Sequence, residues 1–432
     1  MKIENQPLII SNAFLDGKAV DIVVSEGYIQ QIEPHGFQFS IFDFQLIDAS
    51  GLAAFPGLCN MHSHAPMTLL RGLGDDQPLH SWLNDYIWPA EQRLTDELVY
   101  EGTLRACREM LASGTTFFND MYFRLPAMAQ AVEDSGIRAR LGQNIFGDGE
   151  ECLNGELLDC LSACAATTQT IKQSNNQAIF YSIAPHSIYT VSEVGLRRCA
   201  EACHRLGVPM HIHMSETQRE VDDCLAAHGC RPWEYLDKLG ILDTLGPNII
   251  AAHCLHLSES EIRLIGDHGI TCVHCPNSNL KLGSGYRFPM TELLEAGARV
   301  TLGTDGSASS NNLDMIEAAR LMSYLQKGVR QDPTVLPVQE LLRVATENGF
   351  RAAGIDAGRI AVGKVADLIL VDLDNLAFVP MHDTLSGLFY AAHADCVDTV
   401  ICNGRVVMHD RHVEGEEEIR TQARKHIHRL KG

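Results

Sequence analysis

His62 and His64, in the run Pro56-Gly-Leu-Cys-Asn-Met-His-Ser-His64, stand two residues apart at the end of an apolar stretch. Side chains alternate between the two faces of a strand, so both imidazoles project from one face and can share one metal ion. More ring nitrogens recur at the ends of later apolar runs. His186 follows Ile179-Phe-Tyr-Ser-Ile-Ala-Pro, His211 and His213 close the fifth run, His253 follows Ile249-Ile-Ala-Ala, and His274 lies in the seventh. Asp305 closes the eighth, Val300-Thr-Leu-Gly-Thr-Asp-Gly. One such histidine is ordinarily a hydrogen-bonded core residue. Seven of them, together with a carboxylate, read as a site.

Three histidines and one carboxylate suit a single Zn²⁺ per chain, ahead of Fe²⁺ or Mn²⁺. A water held by such an ion has its pKa lowered toward ~7. His213 is the better ligand of the fifth-run pair, because His213-Met-Ser-Glu216 sets a carboxylate nearby that is free to carry protons. His211 reads as a packed neighbour of the ligands. Asp305 can both ligate the ion and accept a proton from the attacking water, and His253 can stabilise the oxygen that develops. His256, three residues after His253, reads as a loop residue, and neither it nor His274 receives a role.

These groups need a scaffold. Eight apolar runs end near His62, Asn119, Asn144, His186, His213, His253, Cys275 and Asp305, and helical stretches separate them. Examples are Asp96–Ala112, Glu193–Leu206 and Met290–Ala296, the last followed by Gly297 as a cap. Eight such units predict a TIM (β/α)₈ barrel over residues 57–361, with its working groups at the C-terminal strand ends. The chain ends have another rhythm. Leu8–Ile10, Ala19–Val24 and Tyr28–Ile32 alternate with turns at Asp16-Gly17 and Glu26-Gly27. Ala366–Val371, Val397–Ile401 and Arg405–Met408 resume that style, with Asn403-Gly404 as a hairpin turn. Residues 1–56 and 362–432 are therefore expected to form one small split β-sandwich, closed by a polar helix at Glu416–Leu430.

The 432 residues carry 34 basic and 55 acidic side chains, a net −21, which argues against nucleic acid or an anionic membrane as partner. A homo-oligomer is compatible with such an acidic surface. The fourteen cysteines are scattered and read as reduced and near-core; Cys272 and Cys275 flank His274, but no second pair lies at finger spacing. The start of the chain has no apolar signal, and no run reaches ~18 apolar residues, so a cytoplasmic protein is expected.

Pro56-Gly-Leu-x-Asn-x-His-x-His, His213-x-x-Glu216, His253 and Gly303-Thr-Asp305-Gly together resemble the amidohydrolase superfamily. Gly363-Lys-Val-Ala-Asp-Leu-Ile-Leu is similar to the return of that family into its terminal sandwich. No lysine stands at the third or fourth strand end, as in the mononuclear branch. Ala65–Asp76, Trp82-Leu…Trp88-Pro-Ala-Glu91, Asn119-Asp-Met-Tyr122 and His274-Cys-Pro-Asn-Ser-Asn-Leu-Lys-Leu282 resemble the 5′-methylthioadenosine/S-adenosylhomocysteine deaminases. The resemblance implies metal ligation by His62, His64, His213 and Asp305. It also implies that Glu216 protonates the purine ring, Glu91 accepts hydrogen bonds from the ribose hydroxyls, Trp82 packs along the nucleoside and His186 hydrogen-bonds it. The plainer alternatives are a solvated helix start for Glu91 and a core position for Trp82.

The implied reaction is hydrolytic deamination at C6 of an adenosine-type nucleoside, giving the inosine analogue and ammonia. 5′-Methylthioadenosine comes first, with S-adenosylhomocysteine or adenosine as further substrates. Guanine and pterin deaminases and triazine hydrolases share the metal motifs, and an inactive binding barrel is the remaining alternative. One departure bears on the substrate. An arginine for the homocysteine carboxylate is expected near the third strand end, where Gln143 stands beside Asp148, Glu150 and Glu151, and Arg138 and Arg140 precede it. An unpaired carboxylate in a closed pocket is costly, which favours the neutral methylthio nucleoside.

Overall fold

The computed structural model describes residues 6–37, 43–150, 153, 178–413, 415 and 421. Near the amino terminus, β1 (Leu8–Leu15), β2 (Lys18–Ser25) and β3 (Tyr28–Pro34) form an antiparallel meander, followed by β4 (Gln45–Asp48) and β5 (Leu52–Pro56). Its turns fall at Asp16-Gly17 and Glu26-Gly27, and all four residues take positive φ. β1 runs past the expected end at Ile10, across a bulge between Ile10 and Ala13. A bulge adds a residue without ending the pairing, so alternation breaks while the strand continues.

The barrel follows in chain order: β6 (Leu58–Ser63), β7 (Thr115–Tyr122), β8 (Arg138–Ile145), β9 (Ile179–Pro185), β10 (Met210–Met214), β11 (Ile249–His253), β12 (Thr271–His274) and β13 (Arg299–Leu302). Each pairs in parallel with the next, from β6 to β13. Alternate residues serve two cores. Met61, Phe117, Ile250 and Val273 pack with Phe350, whereas Leu58, Phe118, Ile212 and Ala251 pack with the surrounding helices. Both strand faces are thus buried, as in other parallel sheets. The helices expected at Asp96–Ala112, Glu193–Leu206 and Met290–Ala296 occupy those bounds. Thr95 and Ser192 cap the first two, and Gly297 ends the third at φ 100°.

The chain then returns to the first sheet. β14 (Leu368–Asp372) pairs antiparallel with β5, from Leu368 opposite Pro56 to Asp372 opposite Leu52. β15 (Val397–Cys402) and β16 (Arg405–Met408) complete it through the Asn403-Gly404 hairpin. The two chain ends therefore share a mixed sheet separate from the barrel, in the order β16-β15-β14-β5-β1-β2-β3 with β4 on β1. The helix expected at Glu416–Leu430 lies outside the described residues, as do Glu151, Cys152, Cys160 and Cys164. Among the described residues the cysteines are free and buried, and no helix is long and apolar enough to cross a membrane.

A buried ion pair joins the barrel to this sheet. Arg138, at the start of β8, donates to the Asp367 carboxylate, and both residues are 1% exposed. Asp367 also accepts the Asn403 N–H at 2.5 Å. Burial pushes the Asp367 carboxyl up, and Arg138 opposes it. Arg138→Met strands that carboxylate and is expected to cost about 3–5 kcal/mol of stability in denaturant titrations. Adding Asp367→Leu should restore most of it; an unstable double variant would show that the pair contributes more than mutual compensation.

Candidate active site

The C-terminal strand ends gather their polar residues at one end of the barrel. His62 lies in β6, His64 just past it, His213 in β10, and Asp305 three residues past β13. Ligand atoms of His62, His64 and His213 lie within 4.8 Å of one another, as do those of His62, His253 and Asp305. Asp305 Oδ1 is 3.4 Å from His62 Nε2 and 3.3 Å from His64 Nε2, and His64 Nε2 is 3.2 Å from His213 Nε2.

Barrel closure brings Asp305 here. The Asp305 N–H donates to the His62 carbonyl at 2.9 Å, and Asn60 exchanges hydrogen bonds of 2.7 and 3.1 Å with Thr304. A Cβ on Gly303 would meet the His62 backbone nitrogen at 2.8 Å, so the seam needs glycine there. Asp305 and His253 both sit at positive φ, 63° and 75°, which turns their side chains off the strand ends into the cluster.

The outer nitrogens of the rings are already committed. His64 Nδ1 donates to the Met121 carbonyl and His213 Nδ1 to the His186 carbonyl, each at 2.7 Å. With both rings neutral their Nε2 lone pairs face each other across 3.2 Å, an arrangement that a cation relieves, whether a proton on His64 or a metal ion. His62 Nδ1 lies 3.0 Å from His211 Nε2, while the Asp120 carbonyl hydrogen-bonds the His211 ring. With its proton on Nδ1, His62 presents Nε2, which is buried and has no hydrogen-bond partner, toward Asp305.

Burial lowers the pKa of His62 to about 4 and that of His213 well below its ordinary value, so both are neutral, as ligands must be. Burial also works against the charged forms of His64 and Asp305, but their proximity outweighs it. Asp305 is held well below the carboxylate range and His64 rises to about 9. Positive charge is thus favoured beside the carboxylate. Three imidazole nitrogens and one carboxylate oxygen fit a divalent metal such as Zn²⁺.

Glu216 and His253 stand beside this cluster, with His253 Nε2 3.8 Å from Glu216 Oε2. The Asn279 amide donates to His253 Nδ1 at 2.9 Å, which leaves the ring proton on Nε2. Ser284 Oγ donates to Glu216 Oε1 at 2.9 Å. Glu220, one turn on, accepts the Ser215 and Glu216 N–H groups at 2.7 and 2.8 Å, and burial raises its carboxyl to about 8 against those bonds. Asp305 Oδ2 accepts from Ser278 Oγ at 2.5 Å.

A narrow cavity of about 50 Å³ opens over the cluster, lined by His64, Trp82, Glu91, His186, His213, Glu216, His253 and Asp305 among others. It shares Trp88, Glu91, Tyr122, Phe123 and Phe146 with an outer chamber of about 620 Å³. Trp82 is buried and donates from Nε1 to the Leu73 carbonyl at 3.1 Å. His186 stacks on Phe146 at 4.9 Å, with Nδ1 2.9 Å from Thr190 Oγ1, and burial lowers its pKa to about 3. Burial raises Glu91, with the Tyr122 hydroxyl and His64 opposing.

Every residue singled out in the sequence for metal, proton or substrate work thus meets at one place. The others fall outside it. His211 braces His62, His256 bonds the Ser284 carbonyl at 2.7 Å, and His274 is buried against Phe288. Cys272 and Cys275 belong to no metal-capable group among the described residues. Arg138 and Arg140 bond Asp367 and the Ala353 carbonyl and stay out of the two chambers. Gln143 lines the outer chamber, whereas Asp148 and Glu150 bond Ser192 and Arg198.

Sequence reasoning missed Ser284, Glu220, Phe146 and Arg124, and gave Tyr122 no role of its own. Glu220 follows Glu216 at helical spacing, a signal that could have been used. Arg124 lines the outer chamber from the end of β7 and donates to Asp96; nothing local marks it.

Residues 53–407 match the amidohydrolase family. The chain is 45% identical over 380 residues to a 5′-deoxyadenosine deaminase of Methanoregula boonei, covering 88% of this chain and 84% of that one. It is 43% identical over 390 residues to a 5-methylthioadenosine/S-adenosylhomocysteine deaminase of Pelotomaculum thermopropionicum, covering 89% and 87%. Among solved structures, an adenosine deaminase from Xanthomonas campestris with bound zinc superposes with TM-score 0.88 at 34% identity, covering 99% and 98%. With a family match over most of its length and a buried cluster able to hold a divalent ion, the chain belongs to the amidohydrolase family, as a metal-dependent hydrolase of carbon–nitrogen bonds.

Proposed function

We propose that this amidohydrolase deaminates adenosine-type nucleosides at C6, with 5′-methylthioadenosine as the leading substrate and 5′-methylthioinosine and ammonia as products. The observation that carries this reading is the order of groups along the cavity. The metal-capable cluster, Glu216 and His253 stand at its inner end, and Glu91 stands in the wall shared with the outer chamber. His62, His64, His213 and Asp305 would hold the metal, taken as Zn²⁺, which when bound makes hydroxide available from water at neutral pH.

Asp305 accepts the proton of the attacking water and passes it to the C6 amino group, which leaves as ammonia, while the second water proton replaces the one that Glu216 gives up. Glu216 delivers a proton to the ring nitrogen beside C6, so that negative charge does not build on the purine. His253, with its proton on Nε2, donates to the oxygen that develops at C6. His186 offers its cavity-side nitrogen to the base, and Trp82 packs along it. The inner space is well below the roughly 300 Å³ of an ordinary small-ligand site. The sugar therefore extends past Glu91, whose two oxygens accept the vicinal ribose hydroxyls.

The 5′ end then lies in the outer chamber, among Phe123, Phe146, Tyr122 and Leu94. Gln143 stands there in place of an arginine, and Arg124 at the same wall is engaged with Asp96. A short neutral 5′ substituent suits these surroundings better than a zwitterionic tail. The relatives named for 5′-deoxyadenosine share that neutrality. The test is ammonia release from methylthioadenosine, 5′-deoxyadenosine, adenosine and S-adenosylhomocysteine, with metal content measured on the same sample. Methylthioadenosine should give the highest kcat/KM; no ammonia from any nucleoside would reject the reading. Glu91→Ala is expected to raise KM for each nucleoside by about tenfold or more, the loss of a charged hydrogen-bond acceptor. An unchanged KM would favour a substrate without ribose.

A further inference from the structure

The hydrogen bonds around Glu216 distinguish its two oxygens. Oε1 accepts from Ser284 Oγ at 2.9 Å, while Oε2 faces His253 Nε2 at 3.8 Å. Ser284 is 7% exposed and Glu216 6% exposed, so neither side chain exchanges this bond freely with water. Ser284 is itself held. His256 Nε2 donates to its backbone carbonyl at 2.7 Å, and a Cβ on Gly285, next to it, would meet that ring nitrogen at 3.2 Å. His256 is anchored in turn. Its N–H donates to the Ser215 carbonyl at 3.0 Å, and its own carbonyl accepts from Arg231 Nη2 at 2.7 Å. Arg231 is bound to the buried Glu261 at 2.6 Å. The loops after β10, β11 and β12 are thus tied together around one carboxyl group.

We infer that Ser284, anchored by His256, is a positioning residue that reserves Oε1 of Glu216 as an acceptor and so assigns the travelling proton to Oε2. This rests on the role of Glu216 proposed above. A hydroxyl that donates to Oε1 disfavours protonation there, because the bond stabilises negative charge on that oxygen and a proton placed on it would force the hydroxyl to turn away. The acid form therefore carries its proton on Oε2, the oxygen on the His253 side. Without that bond, the carboxyl can rotate and place the proton on either oxygen, and only one is aimed at the substrate ring. The proton leaves Oε2 for the ring nitrogen, Glu216 becomes a carboxylate, and the Ser284 bond to it strengthens as charge develops.

The experiment compares Ser284→Ala, Ser284→Thr, His256→Ala, His256→Gln and Glu216→Gln by steady-state ammonia release on methylthioadenosine, with metal content and melting temperature measured for each. Ser284→Ala should lower kcat about tenfold or more with KM changed less than about threefold, as for a lost bond to a charged group. Ser284→Thr, which keeps the hydroxyl, should recover most of kcat. His256→Gln, whose amide can still donate, should exceed His256→Ala, and this pair reads the same effect should Ser284 variants fail to fold. Turnover by Ser284→Ala within twofold of the parent overturns the inference, as does a loss that tracks metal content. If Glu216→Gln is inactive while Ser284→Ala turns over fully, the inference alone fails. If Glu216→Gln itself turns over normally, the role of Glu216 fails.

Discussion

Glu216→Gln is expected to lower kcat by roughly 10²–10⁴-fold, the range for losing a general acid–base group, while the protein binds metal at the parent stoichiometry. The amide keeps the shape of the carboxyl group and can still accept from Ser284 through its oxygen. It cannot pick up and release a proton. The neighbours of Glu216 are His253, Ser284 and the Glu220-held turn, none of which is among the four proposed ligands. Metal content should therefore be untouched. Steady-state ammonia release and metal analysis on one preparation decide the matter, and normal turnover with the metal bound would remove Glu216 from the proton path.

Stripping the metal with a chelator is expected to abolish ammonia release, and adding Zn²⁺ back should restore it. His213→Ala should behave as the chelated protein does, but without recovery. His213 is held by the His186 carbonyl, so its ring is oriented before any ion binds. Its loss removes one of three converging nitrogens and leaves His64 Nε2 without its opposite member. His211→Ala acts one step further out, through His62, and should cost about 10–100-fold in metal affinity while leaving some activity at high Zn²⁺. The measurements are metal titrations with activity as a second readout. Undiminished turnover in metal-free protein would refute the metal's part in the reaction.

Much of this was legible along the chain because two of its signals are local. A two-residue spacing puts His62 and His64 on one strand face whatever surrounds them. Apolar runs alternating with amphipathic stretches announce parallel strands and crossover helices, and the cap at Gly297 marks a helix end. The bulge in β1 and the positive φ of Asp305 were not legible, since both depend on what lies across the sheet or across the barrel seam. The departure at Gln143 was visible, but Arg124 was not. Its place in the outer chamber follows from where β7 lies beside β8.

By itself the sequence determined a candidate donor set, three imidazoles and a carboxylate with a fourth imidazole and a glutamate nearby, and a barrel whose strand ends would carry them. Those properties follow from residue type and periodicity, which act over a few residues. The tertiary structure alone decided how the donors are aimed. The Met121 and His186 carbonyls fix the ring protons of His64 and His213, closure through Asn60 and Thr304 delivers Asp305, and Ser284 distinguishes the oxygens of Glu216. Hydrogen bonds between residues so far apart in the chain exist only once strand register and barrel closure are set, so no local pattern can specify them.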